Sequence, residues 1–139
     1  MDTKDLIRYQ IEASAKQVDK VLEGLADDKW GVKTGGCMSA SETVVHLTEC
    51  YVAAQTQLSG GSHEWGSYKA AEETPAELAT KMRSERSKAW EAVLAADDDE
   101  AGKTATEYLV LHDAYHVGQL ATLRMGFDPE WDAYSIYSD

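Results

Sequence analysis

Three histidines carry the sharpest chemical signal in the chain. His112 and His116 are four residues apart. On a helix that spacing stacks two side chains one turn apart on one face, where two imidazoles can share a metal ion. Stepping ~100° per residue from His112, the same face carries Ala105, Tyr108, Leu109, Tyr115, Gln119, Leu120 and Leu123. That stripe is mostly apolar, which predicts both rings in the middle of a core-facing surface. His46 falls on a comparable stripe with Thr43, Leu47, Cys50, Ala53, Ala54 and Gln57. A buried ring without hydrogen-bond partners costs a few kcal/mol. In a purely structural role, Tyr108, Tyr115 and Gln119 would have to supply those partners. One shared ligand accounts for three inward histidines more simply, and neutral imidazoles around an open position suit zinc or a similar divalent ion.

The neighbours of these positions define the rest of the candidate site. Glu49 lies one turn after His46, and Asp113 directly follows His112. Each reads as a partly exposed acid, as a catalytic base, or as the acceptor that orients a ligand imidazole. Cys50, on the His46 stripe, reads as a small buried residue, with a soft fourth ligand as the alternative. His63 sits in a Gly/Ser-rich stretch and reads as solvent-exposed rather than ligating. Trp65 and Tyr68, just beyond it, either line a pocket mouth or plug the end of the fold. Cys37 reads as exposed and has no assigned role.

Four helices must position these residues. Ile7, Ile11, Ala15, Val18, Val21, Leu22 and Leu25 recur at helical spacing and predict a first helix from Asp2 to Leu25. Ser39…Glu42, Thr74…Glu77 and Thr104…Glu107 each fit the capping box, in which a hydroxyl caps the third backbone N–H and a glutamate reaches back to the cap. They predict helices over 41–58, 75–96 and 105–125. Pro75 suits a first helical position, where its missing N–H costs nothing. Gly31, Gly35 and Gly36 break the chain before the second helix. The acidic run Asp97 to Glu100 reads as a solvated turn. The tail from Phe127 to Asp139, with Trp131, Tyr134 and Tyr137, is aromatic enough to pack on the bundle. No strand-like alternation and no internal repeat occurs. The expected fold is all-α, a four-helix bundle in a single domain over 1–139.

Composition narrows the function classes. The chain has 139 residues, enough to keep a core without a disulfide or a metal. With 13 Lys+Arg against 25 Asp+Glu, its formal net charge is −12. Nucleic-acid binders neutralise phosphates with Lys and Arg, so neither nucleic acid nor anionic lipid is an expected partner. No apolar run approaches the ~18–20 residues that span a bilayer. The charged start, MDTKDLIRYQ, lacks an apolar export core. Two cysteines make no disulfide framework. A cytoplasmic location is the expectation.

His46 on the second helix, together with the run His112-Asp113-Ala114-Tyr115-His116-Val117-Gly118-Gln119-Leu120 on the fourth, resembles the DinB-like (DinB/YfiT) family of metal-dependent proteins. The resemblance covers nearly the whole chain in helix order, loop placement and length. It implies an up-down-down-up four-helix bundle with His46, His112 and His116 as ligands to zinc, nickel or another divalent ion. It also implies transfer chemistry with a low-molecular-weight thiol on a small electrophilic substrate. Two routes stay open: an ion can favour a thiolate nucleophile or a hydroxide for hydrolysis. A non-catalytic metal or ligand store is the further alternative.

Opposite the histidine stripe, Val110, Ala114, Val117, Gly118, Ala121 and Met125 form a second apolar strip. A helix apolar on two sides is covered on two sides. A homodimer through this strip is the expectation, with the aromatic tail as the competing cover.

Overall fold

A computed structural model describes all residues, 1–139. Its helices are α1 (Thr3–Leu22), α2 (Ala40–Leu58), α3 (Pro75–Ala95), α4 (Asp98–Thr104) and α5 (Leu111–Phe127), with a π-helical stretch, Ala105–Val110, between the last two. α4, the π-helical stretch and α5 run on without a break in helical backbone and form the fourth rod of the bundle. There is no strand. No helix is long and apolar enough to cross a membrane.

Local chemistry sets the helix starts. Ser39 with Glu42, and Thr74 with Glu77, form complete capping boxes, and Asp2 with Asp5 forms a third at α1. The expected box at Thr104 is absent. Thr104 is itself helical, and its side chain caps nothing. The reason lies seven residues upstream, where Asp97 accepts from the Glu100 N–H and opens the rod. Asp98, Asp99 and Glu100 then occupy the first turn, where negative charge is stabilised by the helix dipole. The acidic run is thus a helix start and not a turn. α1 ends at Leu22, short of Leu25, and Gly24 follows at φ +72°, a left-handed backbone that favours glycine.

Hydrogen bonds give the direction of each rod. Lys4 at the start of α1 donates to the Leu94 carbonyl at the end of α3, and Arg86 in α3 pairs with Asp19 late in α1. Those two helices are antiparallel. Gln55 late in α2 donates to Glu85 in mid-α3, while the starts of α2 and α3 share one cleft, so these two are parallel. Arg124 at the end of α5 donates to the Val21 and Glu23 carbonyls at the end of α1. The order is up-down-down-up. Parallel α2 and α3 require the chain to return along the bundle, and the crossover of residues 59–74 does so.

The core is contiguous. Ile11, Val18, Val44, Leu47, Tyr51, Met82, Val93 and Leu109 are all essentially inaccessible, and each such apolar side chain contributes roughly 1.5–3 kcal/mol by leaving water. The tail forms a short 3₁₀ turn, Ala133–Tyr137, and packs on α1. Trp131 lies over the Arg124 guanidinium at 4.7 Å.

The expected outer strip of the fourth rod does not survive intact. Val117 is 3% exposed and belongs to the hydrophobic core. Ala114, Gly118 and Met125 are exposed, while Val110 and Ala121 are half-buried. The core stripe of α5 runs through Asp113, His116, Val117, Leu120, Leu123 and Arg124. Its centre is turned by roughly 80° from His112 at ~100° per residue. Asp113 and Arg124 are the cause: two ionisable residues occupy core positions that a hydropathy pattern assigns to solvent. His112 therefore lies at a margin of the stripe, and Tyr115 is 63% exposed.

Candidate metal centre

The antiparallel pairing of α2 with α5 brings His46, His112 and His116 together. His112 Nε2 lies 3.0 Å from His46 Nε2 and 3.2 Å from His116 Nε2. All three donor atoms lie within 4.8 Å of one another. The rings meet edge to face, with centroids 4.5 to 4.8 Å apart. His116 is buried, and the other two are half-buried.

These residues fit a divalent ion on two counts. Nitrogens bound ~2.0–2.1 Å from one ion at 90–110° stand roughly 3.0–3.4 Å apart, and the two short separations fall in that range. The proton count points the same way. A close Nε2–Nε2 contact has room for at most one proton, and His112 Nε2 faces two such neighbours. Protonation is disfavoured at two of the three rings: burial, then the adjacent His116 and His46, push His112 down to about 4. Burial and His46 lower His116 as well. The centre thus gathers three imidazoles, two of which are disfavoured as imidazolium. The other ring nitrogens, Nδ1 of His112 and of His116, are buried without any partner.

Neither flanking acid is hydrogen bonded to these rings. Asp113 is 1% exposed and points into the core, accepting from the Tyr51 hydroxyl at 2.8 Å and from Ser14 Oγ at 3.2 Å. Burial raises its carboxyl to about 7 against the opposing effect of those two donors. One residue step along a helix is a turn of ~100°, which is why adjacency to His112 did not place it at the site. Glu49 is also buried, not partly exposed. Its Oε1 accepts from the Gly66 N–H at 2.6 Å and lies 2.9 Å from His63 Nε2. Burial pushes this carboxyl up, but His63 and the Gly66 N–H outweigh it, and the net direction is down.

His63 is therefore a correction. Its side chain is only 8% exposed, because Glu49 draws it out of the Gly/Ser loop onto α2. Its Nε2 is engaged by Glu49 and not by the histidine cluster. Trp65 stacks edge to face on the His63 ring at 4.9 Å and is itself 53% exposed. Tyr68 is half-buried. Together these residues fasten the crossover to the middle of α2, one turn from His46. Neither Trp65 nor Tyr68 lines the cleft that opens beside His46.

Cys50 Sγ donates to the Tyr108 carbonyl at 3.2 Å. Its thiol, pushed up to about 12 by burial and by Asp113 and Glu49, stays protonated. It is a core residue outside the imidazole cluster. Tyr108 lies in the π-helical stretch, where the helical hydrogen-bond ladder is re-spaced, and such stretches recur at functional sites. This one immediately precedes the turn that carries His112.

The sequence model of the DinB superfamily matches residues 10–122, a span that contains all three histidines and the cores of all four rods. The chain belongs to the DinB superfamily. No curated protein and no solved structure gives a significant match. Within this DinB-superfamily chain the histidine cluster is the only group of His, Cys, Asp or Glu side chains placed to hold one ion.

Proposed function

We propose that the chain binds one divalent metal ion through His46, His112 and His116 and uses it in a transfer reaction between a low-molecular-weight thiol and a small electrophile. The observation that carries the reading is the convergence of three imidazoles whose ring nitrogens lie within 4.8 Å of one another, with His112 Nε2 3.0 Å from His46 Nε2 and 3.2 Å from His116 Nε2. Family membership supports it, since the superfamily is generally metal-binding. An all-imidazole donor set suits zinc first and nickel next. When bound, the ion supplies a Lewis acid that favours the deprotonated form of a thiol at the open position.

The remaining roles follow from the chain's own residues. Burial and neighbouring imidazoles lower His112 to about 4 and lower His116, so protons compete less strongly for these two rings. Glu49 is held as carboxylate by His63 and the Gly66 N–H, which makes it a weak base. We assign it to positioning: it holds the crossover beside His46. Asp113 is buried against Tyr51 and Ser14 and makes no hydrogen bond to the imidazoles. Protein purified without a histidine tag should carry about one ion per chain. Turnover of an electrophile such as monochlorobimane with a panel of thiols should require that ion. Turnover that persists unchanged after chelation would refute the reading.

A further inference from the structure

The second half of the fourth rod presents no charged side chain to water. Residues 108–127 contain one acid and one base, Asp113 and Arg124, and both are buried. The first half, by contrast, exposes Asp98, Asp99, Glu100, Lys103 and Glu107. On the outer side of α5, Leu111, Tyr115 and Met125 are 62%, 63% and 48% exposed. Ala114, Gly118 and Thr122 are exposed between them, and Ala121 is half-buried. At ~100° per residue all of these positions fall within ~60° of Gly118. A contiguous apolar strip left open to water marks an interaction site, as single exposed residues do not. The tail is not its cover, since it packs on α1 and leaves the strip open.

The strip is symmetric about its own centre. Leu111 and Met125 lie seven residues to either side of Gly118, Ala114 and Thr122 four, Tyr115 and Ala121 three. A two-fold axis at Gly118, perpendicular to the helix, therefore sets Leu111 against the partner's Met125. It sets Tyr115 against the partner's Ala121, a large side chain over a small one. Nothing stands within 4 Å of the place a Gly118 Cβ would take, so two backbones can come close at the crossing. Charge favours the antiparallel arrangement. Parallel rods would lay their exposed acids side by side in a chain of net charge −12. Antiparallel, Glu107 falls opposite the partner's Pro129, beyond the end of α5 at Phe127, and the acidic halves point apart. The strip is ~21 Å long on a helix ~10 Å across, less than the ~800 Å² per partner of a standard interface. α1 extends it: a furrow of about 250 Å³ between α1 and α5, with Tyr9, Ala13 and Ala114 in its walls, has no charged side chain in its lining.

We propose that two copies of the chain dock through this face, α5 antiparallel to α5 and crossing at Gly118, and that docking fixes Tyr115 on the metal centre. The Tyr115 ring meets the His116 ring edge to face at 5.0 Å, and its hydroxyl accepts from Gln119 Nε2 at 3.0 Å. A second copy closes over that exposed tyrosine and so holds it against His116. The interface itself stands on the uncharged strip and its symmetry, whether or not the histidines hold an ion. A second copy is the occupant that matches the strip, because each half of the strip is complementary to the other half.

Sedimentation of the whole chain at tens of micromolar tests this, with circular dichroism to confirm the fold of each variant. The wild type should be a dimer. Gly118→Glu adds a side chain at an open, exposed position where glycine is a poor helix former, and it sets like charges across the axis. It should raise the dissociation constant roughly a hundredfold. Leu111→Lys should raise it roughly tenfold. Leu111→Lys/Met125→Glu sets opposite charges against each other twice across the axis. It should recover most of that loss and weaken with added salt. If Gly118→Glu does not fold, the two Leu111→Lys proteins decide. A monomeric wild type overturns the proposal and leaves the strip to a different protein. A Gly118→Glu protein as dimeric as the wild type places the contact on another face and overturns it too. A double variant no tighter than Leu111→Lys overturns the antiparallel register.

Discussion

The fourth rod presents two polar clusters on adjacent residues, His112 and Asp113, and they are built in opposite ways. On the Asp113 side every group has a partner. Tyr51 donates to the carboxylate, and the one Ser14 hydroxyl proton is shared between the carboxylate and the Ile11 carbonyl. On the His112 side the Nε2 atom lies 3.0 and 3.2 Å from the Nε2 atoms of two other imidazoles, and two buried Nδ1 atoms have no partner. A satisfied buried network fixes the packing of a core and asks for nothing more. An unsatisfied one is costly unless something else completes it. Within one turn of helix the two clusters differ: the Asp113 cluster joins α1, α2 and α5, while the histidine cluster keeps two ring nitrogens that no other group of the protein uses.

The largest effect should come from breaking the satisfied cluster. Asp113→Ala strands the buried Tyr51 hydroxyl and leaves a cavity, which should cost roughly 3 kcal/mol of stability in urea unfolding. Its metal stoichiometry should be unchanged. If Asp113→Ala instead lost the ion and kept its stability, the two clusters would have to exchange roles.

The pH dependence of the metal-free protein sharpens the contrast. The folded Asp113 carboxyl holds its proton to about 7, against an ordinary value of 3.8. Between those values the folded chain binds the extra proton, so this group's contribution to stability is lost as pH rises. His112 runs the other way. Its folded value is about 4 against an ordinary 6.5. The unfolded chain binds the extra proton there, so stability is lost as pH falls through that window. The slopes oppose in the wild type. Relative to wild type, Asp113→Asn should make stability rise more steeply with pH and His112→Leu less steeply, since His116, Glu49 and Glu42, all lowered, remain in both. Urea midpoints in a chelator near pH 4 and near pH 7 should show changes in slope of opposite sign.

A smaller effect of unusual sign follows from the orphaned rings. His112→Leu removes a buried nitrogen without a partner and fills similar space. Without metal it should be neutral or more stable than wild type by about 1 kcal/mol near pH 7. Destabilisation beyond that would mean the apo cluster is satisfied as it stands. Smallest is the cap of the fourth rod. Asp97→Ala should cost about 1 kcal/mol in thermal unfolding, and Thr104→Ala, a residue that caps nothing, less than half of that.

Sequence periodicity located the rods well because apolar spacing and capping boxes are local signals. Ser39 with Glu42 and Thr74 with Glu77 act as their types predict. Thr104 with Glu107 matches the same pattern and fails, since Asp97 had already opened the helix and a motif inside a running helix has no orphan N–H to cap. The three histidines were legible because their spacing and apolar neighbours are strong together. Their position across the core was not. Asp113 and Arg124 are buried because Tyr51, Ser14 and the Val21 and Glu23 carbonyls receive them, and those partners lie far off in the chain. The same holds for His63 and Glu49, which are fourteen residues apart and meet only because the crossover folds back along α2. Re-spacing of the ladder over Ala105–Val110 has no residue signature at all.

Elemental analysis of protein expressed without a histidine tag, beside His46→Ala, His112→Ala, His116→Ala and His63→Ala, decides whether the three imidazoles form one metal site. The structure predicts about one divalent ion per chain in the wild type and in His63→Ala. Each of the other three variants should lose the ion almost entirely and keep its helical circular dichroism. Full metal content in His112→Ala, or none in the wild type after growth in metal-replete medium, would contradict the account.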